Sequence, residues 1–229
     1  MAERGSGLGI VAEPWRVPND HPHWFADRDG SAAVYWRPLP RSPPCTRVEA
    51  GEGYVAVKWG PILVIAIYAP PRWDLVMFEG VLDAIDACIR RHPQSQVIVA
   101  GDFNAKSALW GSPRRNQRGS TLEEWAASLG LCLVNTGRKS TCVRRQRTSI
   151  VDLTWADPCT ARFIREWGVI EDGETLSDHQ LIEMVFQVTP PPTRAGSPPP
   201  TGGTEKMGPQ KVGPGPPTSG GPGSNMGRS

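Results

Sequence analysis

No stretch of the 229 residues is apolar for long enough to cross a membrane, and no signal peptide opens the chain. Cysteine is sparse and scattered: Cys45, Cys88, Cys132, Cys142 and Cys159 are odd in number and show no CxxC or Cys/His spacing. Neither a disulfide framework nor a zinc module fits that pattern. Cys88 and Cys132 sit among apolar residues and are expected to be buried thiols in a reducing compartment. Charge of neither sign dominates, since the net is only +2. Hydrophobic residues reach just 38%, and the shortfall is uneven. From Thr189 to Ser229, 11 Pro and 10 Gly leave almost nothing to bury. That tail cannot offset its ordering entropy and is expected to be disordered. Residues 1–6 form a short leader, and 7–188 are long enough for one domain with a proper core.

What is present is a series of short apolar runs: "GLGIVA", "SAAVYW", "GYVAVKW", "ILVIAIY", "QVIVAG", "LCLVN", "IVDLTWA" and "LIEMVF". They are rich in Val and Ile, bounded by Gly, Pro, Asn or Asp, and read as strands. A hairpin is expected at Gly60-Pro61. Two segments have helical periodicity. In the first, Leu75, Phe78, Leu82, Ile85 and Ile89 recur three or four apart after the capping candidate Asp74. In the second, Ser120 and Glu123 have capping-box spacing ahead of Leu122, Trp125, Ala126 and Leu129, and Gly130 can take the left-handed stop. Many strands with two helices predict a mixed α/β domain, sheet on sheet with helices outside.

Between Gly101 and Arg165 eleven Lys/Arg stand against five acids. A locally basic half suits a polyanion, although an ordinary solvated face explains the charge as well.

Several strands end in, or carry, a polar group of one chemical kind. Glu13 ends "GLGIVAE", Tyr68 ends "ILVIAIY", and Asp102 and Asn104 end "QVIVAGDFN". Asp152 lies inside an apolar run, and Asp178 and His179 open the last strand. Singly, each has a structural explanation: a turn, a cap, a wet core tyrosine. Together they supply what phosphodiester hydrolysis needs. One carboxylate can hold a hard cation, and another can deprotonate a water. A histidine can bind or protonate a phosphoryl oxygen, and a further Asp can fix its tautomer.

The ordered set "EPW", "IYAPP", "GDFNA", "SIVD" and "SDH" resembles the endonuclease/exonuclease/phosphatase superfamily. Its nearest likeness is to the apurinic-type endonuclease domain of non-LTR retrotransposons, carried by "GDFNAKSALWGSPRRNQRG" and "TSIVDLTW". The resemblance runs from about Gly7 to Val188. It implies a four-layer α/β/β/α sandwich of DNase I type, Mg2+ (or Mn2+) as cofactor, and DNA as partner. Element RNA or a reverse transcriptase would be further partners, in a nuclear monomer. By the resemblance Glu13 and Asp178 serve the metal, and Tyr68 contacts the scissile phosphate. Asp102 activates water with Asn104 beside it, and Asp152 supports the catalytic His179. The family's first strand and helix, and an Asn on that strand, have no counterpart ahead of "GLGIVAEPW", and no reverse transcriptase follows. A non-catalytic remnant and a phosphatase of the same superfamily are therefore the alternatives to a nicking endonuclease.

The stretches "RRNQRG" and "RKSTCVRRQR" place Arg114, Arg115, Arg118, Arg144, Arg145 and Arg147 as phosphate-binding candidates. Of the tryptophans near the motifs, Trp15, Trp110 and Trp155 could stack on bases or line the cleft. Core packing is favoured for Trp125 and Trp155, and Trp110 is the expected DNA contact.

Overall fold

The computed structural model describes residues 5–18, 20–40, 42–145, 147–170 and 177–187. The tail from Thr189 to Ser229, expected to be disordered, lies outside the described residues.

The centre is a six-stranded sheet of β4 (Cys45–Ala50), β5 (Tyr54–Trp59), β6 (Ile62–Tyr68), β7 (Gln96–Asp102), β11 (Asp152–Ala156) and β8 (Cys132–Leu133), hydrogen-bonded in that order. β5 and β6 form the expected hairpin at Gly60, whose φ is +57°. Among the described residues only β6 and β7 run parallel, and helix α1 (Leu75–Arg91) makes the crossover between them. The second layer holds β1 (Leu8–Ala12), β3 (Ala32–Trp36) and β2 (Trp24–Ala26), in that order, and the pair β12 (Ile164–Ile170) and β13 (Leu181–Phe186).

Strand alternation sorts the central sheet into two cores. Leu63, Ile65, Ile67, Val97 and Val99 face α1 and α2 (Gln117–Ser128), against Phe78, Leu82, Ile85, Leu122 and Trp125. Val55, Val57, Val64 and Ala66 face the second layer at Leu8, Ile10, Val34 and Trp36. Ile98 and Ala100 face it at Ile10, Ile164 and Phe186. Among the described residues β1 pairs only with β3, and β13 only with β12. No helix of the described residues is long and apolar enough to cross a membrane.

Helix α1 starts as the sequence implies, with Asp74 Oδ1 accepting from Met77 N at 2.8 Å. Helix α2 does not. It begins one turn before Ser120, capped by Asn116, whose Oδ1 accepts from Gly119 N and Lys106 N. Glu123 is then free to bond Ser107 and Arg115 instead of closing a capping box. Gly119 is obligatory there, because a Cβ would lie 1.9 Å from Lys106 O. Cys88 is buried as expected, but Cys132 is exposed, since its short strand sits at the sheet's edge.

Candidate active site

The site is assembled by strand register. Parallel pairing sets Tyr68 beside Asp102, and antiparallel pairing sets Asp102 beside Asp152. All three stand at one end of β6, β7 and β11. Asp102 continues the face of Ile98 and Ala100, so it points between the two β layers. There β1 delivers Glu13 just beyond its end, and the segment opening β13 delivers His179.

The "GDFN" corner is tightly determined. Gly101 has φ +144°, and a Cβ on it would meet Ile67 O at 2.0 Å. Phe103 is fully buried and pulls the chain back into the helix-side core. Asn104 takes a left-handed φ of +46°, which Asn tolerates better than most residues. Its N–H and its Nδ2 donate to Asp102 Oδ1 and Oδ2, each at 2.8 Å, and Nδ2 also reaches Ala69 O at 3.2 Å. Glu13 is also left-handed, at φ +51°. Two of the three such non-glycine residues among those described are thus site candidates, and backbone strain of this kind concentrates where function demands it.

His179 Nδ1 lies 3.0 and 2.9 Å from the Asp152 oxygens, and its Nε2 lies 3.9 Å from Asp102 Oδ2. The hydrogen bond to Asp152 holds the imidazole above its ordinary pKa, against the opposing effect of burial. Burial pushes the Asp102 carboxyl up to about 7, with the neighbouring Asp152 charge adding to it. Burial likewise raises the Tyr68 hydroxyl to about 12, helped by its hydrogen bond to Glu13.

One oxygen or nitrogen from each of Asp102, Asp152 and His179 lies within 4.8 Å of the others. The carboxylates of Asp102, Asp152 and nearby Glu13 form an oxygen-rich set with excess negative charge, which fits a hard divalent cation. Asp178 does not join them. Its carboxylate is 59% exposed and pairs with Arg144 Nε at 3.1 Å.

Thr141 and Asn135 escaped the sequence reading. Thr141 is fully buried, and its Oγ1 accepts from Val151 N and Asp152 N at 3.0 and 3.1 Å. Its carbonyl accepts from Gln180 N, so one residue ties the Asp152 strand to the His179 segment. Asn135 braces the same strand through Asp152 O and Thr154 N. A lone Thr in a basic stretch and an Asn after "LCLV" carry no periodic signal.

Two sequence expectations need correction. Trp110 is 3% exposed, stacks edge-on against Trp155 at 6.1 Å and donates Nε1 to Ala105 O, so it is a core residue and cannot meet DNA. Arg118 is buried as well. Its guanidinium donates to Ala69 O, Pro70 O and Trp73 O and lies 5.2 Å over the Phe78 ring. It clamps the loop before α1 through these three carbonyls. Trp125 and Trp155 are buried, as favoured. Arg114, Arg115, Arg144, Arg145 and Arg147 are exposed, the last three on a hairpin of β9 (Cys142–Arg144) and β10 (Arg147–Ser149). Val143 N donates to Asp178 O, so this hairpin adjoins the His179 segment.

The family model for the endonuclease-reverse transcriptase family matches residues 62–183, spanning Tyr68, Asp102, Asn104, Asp152 and His179. The chain belongs to that family. Among its relatives, the probable RNA-directed DNA polymerase from transposon X-element of Drosophila melanogaster is 37% identical over 87 residues, 37% of this chain and 9% of its own. The RNA-directed DNA polymerase from mobile element jockey of Drosophila funebris is 28% identical over 116 residues, 48% of this chain and 12% of its own. The chain thus spans about a tenth of the length of these relatives. The endonuclease domain of TRAS1, a telomere-specific non-LTR retrotransposon, superposes with a TM-score of 0.69 at 25% identity, covering 82% of this chain and 90% of that one. An AP endonuclease from Archaeoglobus fulgidus shares the fold, with a TM-score of 0.61 at 16% identity over 82% of this chain and 91% of its own. The fold is therefore the mixed α/β, DNase I-like one that the motif order implied.

Proposed function

We propose that this domain is a metal-dependent endonuclease that nicks one DNA strand and leaves a 3′ hydroxyl to prime reverse transcription. The observation that carries the reading is the His179 ring held on Asp152 with Asp102 on its other side. In this reading Asp102, whose carboxyl burial makes more basic, takes a proton from the attacking water. Asn104 holds the Asp102 carboxylate in place by two hydrogen bonds. His179, with Nδ1 committed to Asp152, turns Nε2 to a phosphoryl oxygen and steadies its developing charge. The Tyr68 hydroxyl, kept protonated, donates to a second phosphate oxygen or to Glu13. Glu13 is the residue we assign to Mg2+, with Mn2+ the alternative, and the bound cation would supply positive charge against the phosphate. The exposed arginines of the hairpin and Arg114 hold backbone phosphates. An open groove of about 560 Å³ from Asn104 past Lys106 to Asn116 offers a path for one strand. Element RNA and a reverse transcriptase are proposed as partners of the longer product, and the nucleus as its place of action.

Incubation of the purified chain with supercoiled plasmid and Mg2+, beside His179→Ala and an EDTA control, tests the reading. Nicked circle that requires both His179 and metal supports it. No nicking by the unaltered chain favours the non-catalytic remnant.

A further inference from the structure

Nine tryptophans occur in the chain, and eight of them are accounted for by packing or a hydrogen bond. Trp24 lies on Tyr35, Trp36 on His23, Trp59 on Phe186, and Trp110 and Trp155 on each other. Trp73 is buried, Trp125 Nε1 donates to Leu82 O, and Trp167 Nε1 donates to Thr154 Oγ1. Trp15 is the exception. It is 102% exposed, and among the described residues no ring and no acceptor touches it. A whole indole in water contributes nothing to the fold.

Its position is nevertheless controlled. Glu13 N donates to Ser31 O at 2.7 Å, Glu13 holds φ at +51°, and Pro14 fixes the next φ. Two residues separate the Cα atoms of Glu13 and Trp15 by at most about 7 Å. The indole therefore stands at the rim of the carboxylate site on a short, stiff tether. Arg16 follows it, exposed and without an ion pair among the described residues. A flat aromatic face next to an unpaired guanidinium is complementary to a nucleotide, base on one and phosphate on the other.

We propose that Trp15 stacks on an unstacked nucleobase within about two nucleotides of the scissile phosphate, with Arg16 on the adjoining phosphate. This rests on the endonuclease reading above. Because the base must leave its neighbours to meet the indole, the contact favours cleavage at steps that unstack easily, TA and CA/TG.

The test compares the unaltered chain with Trp15→Ala, Trp15→Phe and Arg16→Ala. Binding to a single-stranded and a duplex oligonucleotide is measured with Ca2+ in place of Mg2+, and nick positions are mapped on plasmid with Mg2+. Urea midpoints check that each variant folds. Trp15→Ala should weaken single-strand binding roughly 5- to 150-fold, and Trp15→Phe should recover most of it. DNA should quench tryptophan fluorescence in the unaltered chain more than in Trp15→Phe. Arg16→Ala should reduce the salt slope of binding by about 1. The nick map of Trp15→Ala should lose its bias to TA and CA/TG steps. If the unaltered chain nicks DNA while Trp15→Ala binds within twofold and nicks at the same positions, the proposal is overturned and the endonuclease reading stands. If the unaltered chain neither binds nor nicks, both fall together.

Discussion

His179 lies between two carboxylates of unequal burial: Nδ1 within 3.0 Å of both Asp152 oxygens, Nε2 3.9 Å from Asp102 Oδ2. Asp152 is the partner and Asp102 the neighbour, and the two can be separated by substitution. Asp152→Asn keeps the shape but removes the charge that raises the imidazole pKa. The His179 resonance should then titrate at lower pH, and nicking should slow about 100-fold or more. Proton NMR of the ring checks the first outcome and a plasmid assay the second. An unchanged His179 titration would remove Asp152 from its role.

Stability should fall as pH rises. The Asp102 carboxyl titrates near 7 in the folded chain, against about 4 when unfolded, and His179 is also held above its ordinary value. Both groups hold protons more tightly when folded. Between about pH 4 and 7 the folded chain therefore binds more protons, and its stability declines as they leave. Unfolding free energies from urea titrations without divalent metal should drop from pH 5 to pH 8, by an amount on the order of 2 kcal/mol. Mg2+ should recover most of that loss at pH 8, where the carboxylates are unneutralised. A midpoint that rises with pH would contradict the assignment.

The arginines should divide into two classes. Arg118→Met strands three carbonyl acceptors, at Ala69, Pro70 and Trp73, and should cost about 3 kcal/mol of stability. It should leave the salt slope of DNA binding unaltered. Replacing Arg144, Arg145 and Arg147 together by Ala should do the reverse, lowering the slope by about 2 to 3 with little change in the urea midpoint. Equal effects of the two changes on the salt slope would refute the division.

Gly101→Ala should be severe. Its Cβ would fall 2.0 Å from a strand carbonyl, which no rotamer change can relieve, on a backbone with φ +144°. A loss of about 3 kcal/mol or more is expected, large enough for soluble expression to fall. Gly130→Ala meets nothing within 4 Å and should cost only about 1 kcal/mol, from its φ of +66°. Denaturant unfolding of the pair decides whether the clash or the φ dominates.

The strands that carry the site were legible because each is an apolar run with a polar residue at its edge: Tyr68 and Asp102 end β6 and β7, and Asp152 opens β11 within the run "IVDLTWA". Strands β4 and β9, "CTRVEA" and "CVR", were not legible, since charged residues interrupt the first and the second is only three residues long. Arg118 was misread for a traceable reason. It lies four residues before Leu122 and seven before Trp125, on the buried stripe of α2, but the helix was started after it. The run "RRNQRG" then looked uniformly basic and exposed. Trp110 was misread because proximity to a motif says nothing about facing; its ring turns to Trp155 on the central sheet. The pairings that bring Asp152 to His179 depend on Thr141 and on the register of β7 with β11, and neither is a local property of the chain.

Tyr68, Asp102 and Asp152 align only because three strands share one register. Tolerance of insertions should therefore be sharply graded along the gene. An extra codon in β7 would send Asp102 to the helix side and destroy the row, whereas two would restore its face about 7 Å out of line. The same codons placed in the connection after β9, or among the residues before β2, would pass without effect on the row. Length variation among descendants of this domain should accordingly be confined to its loops, with the strand interiors kept at constant length.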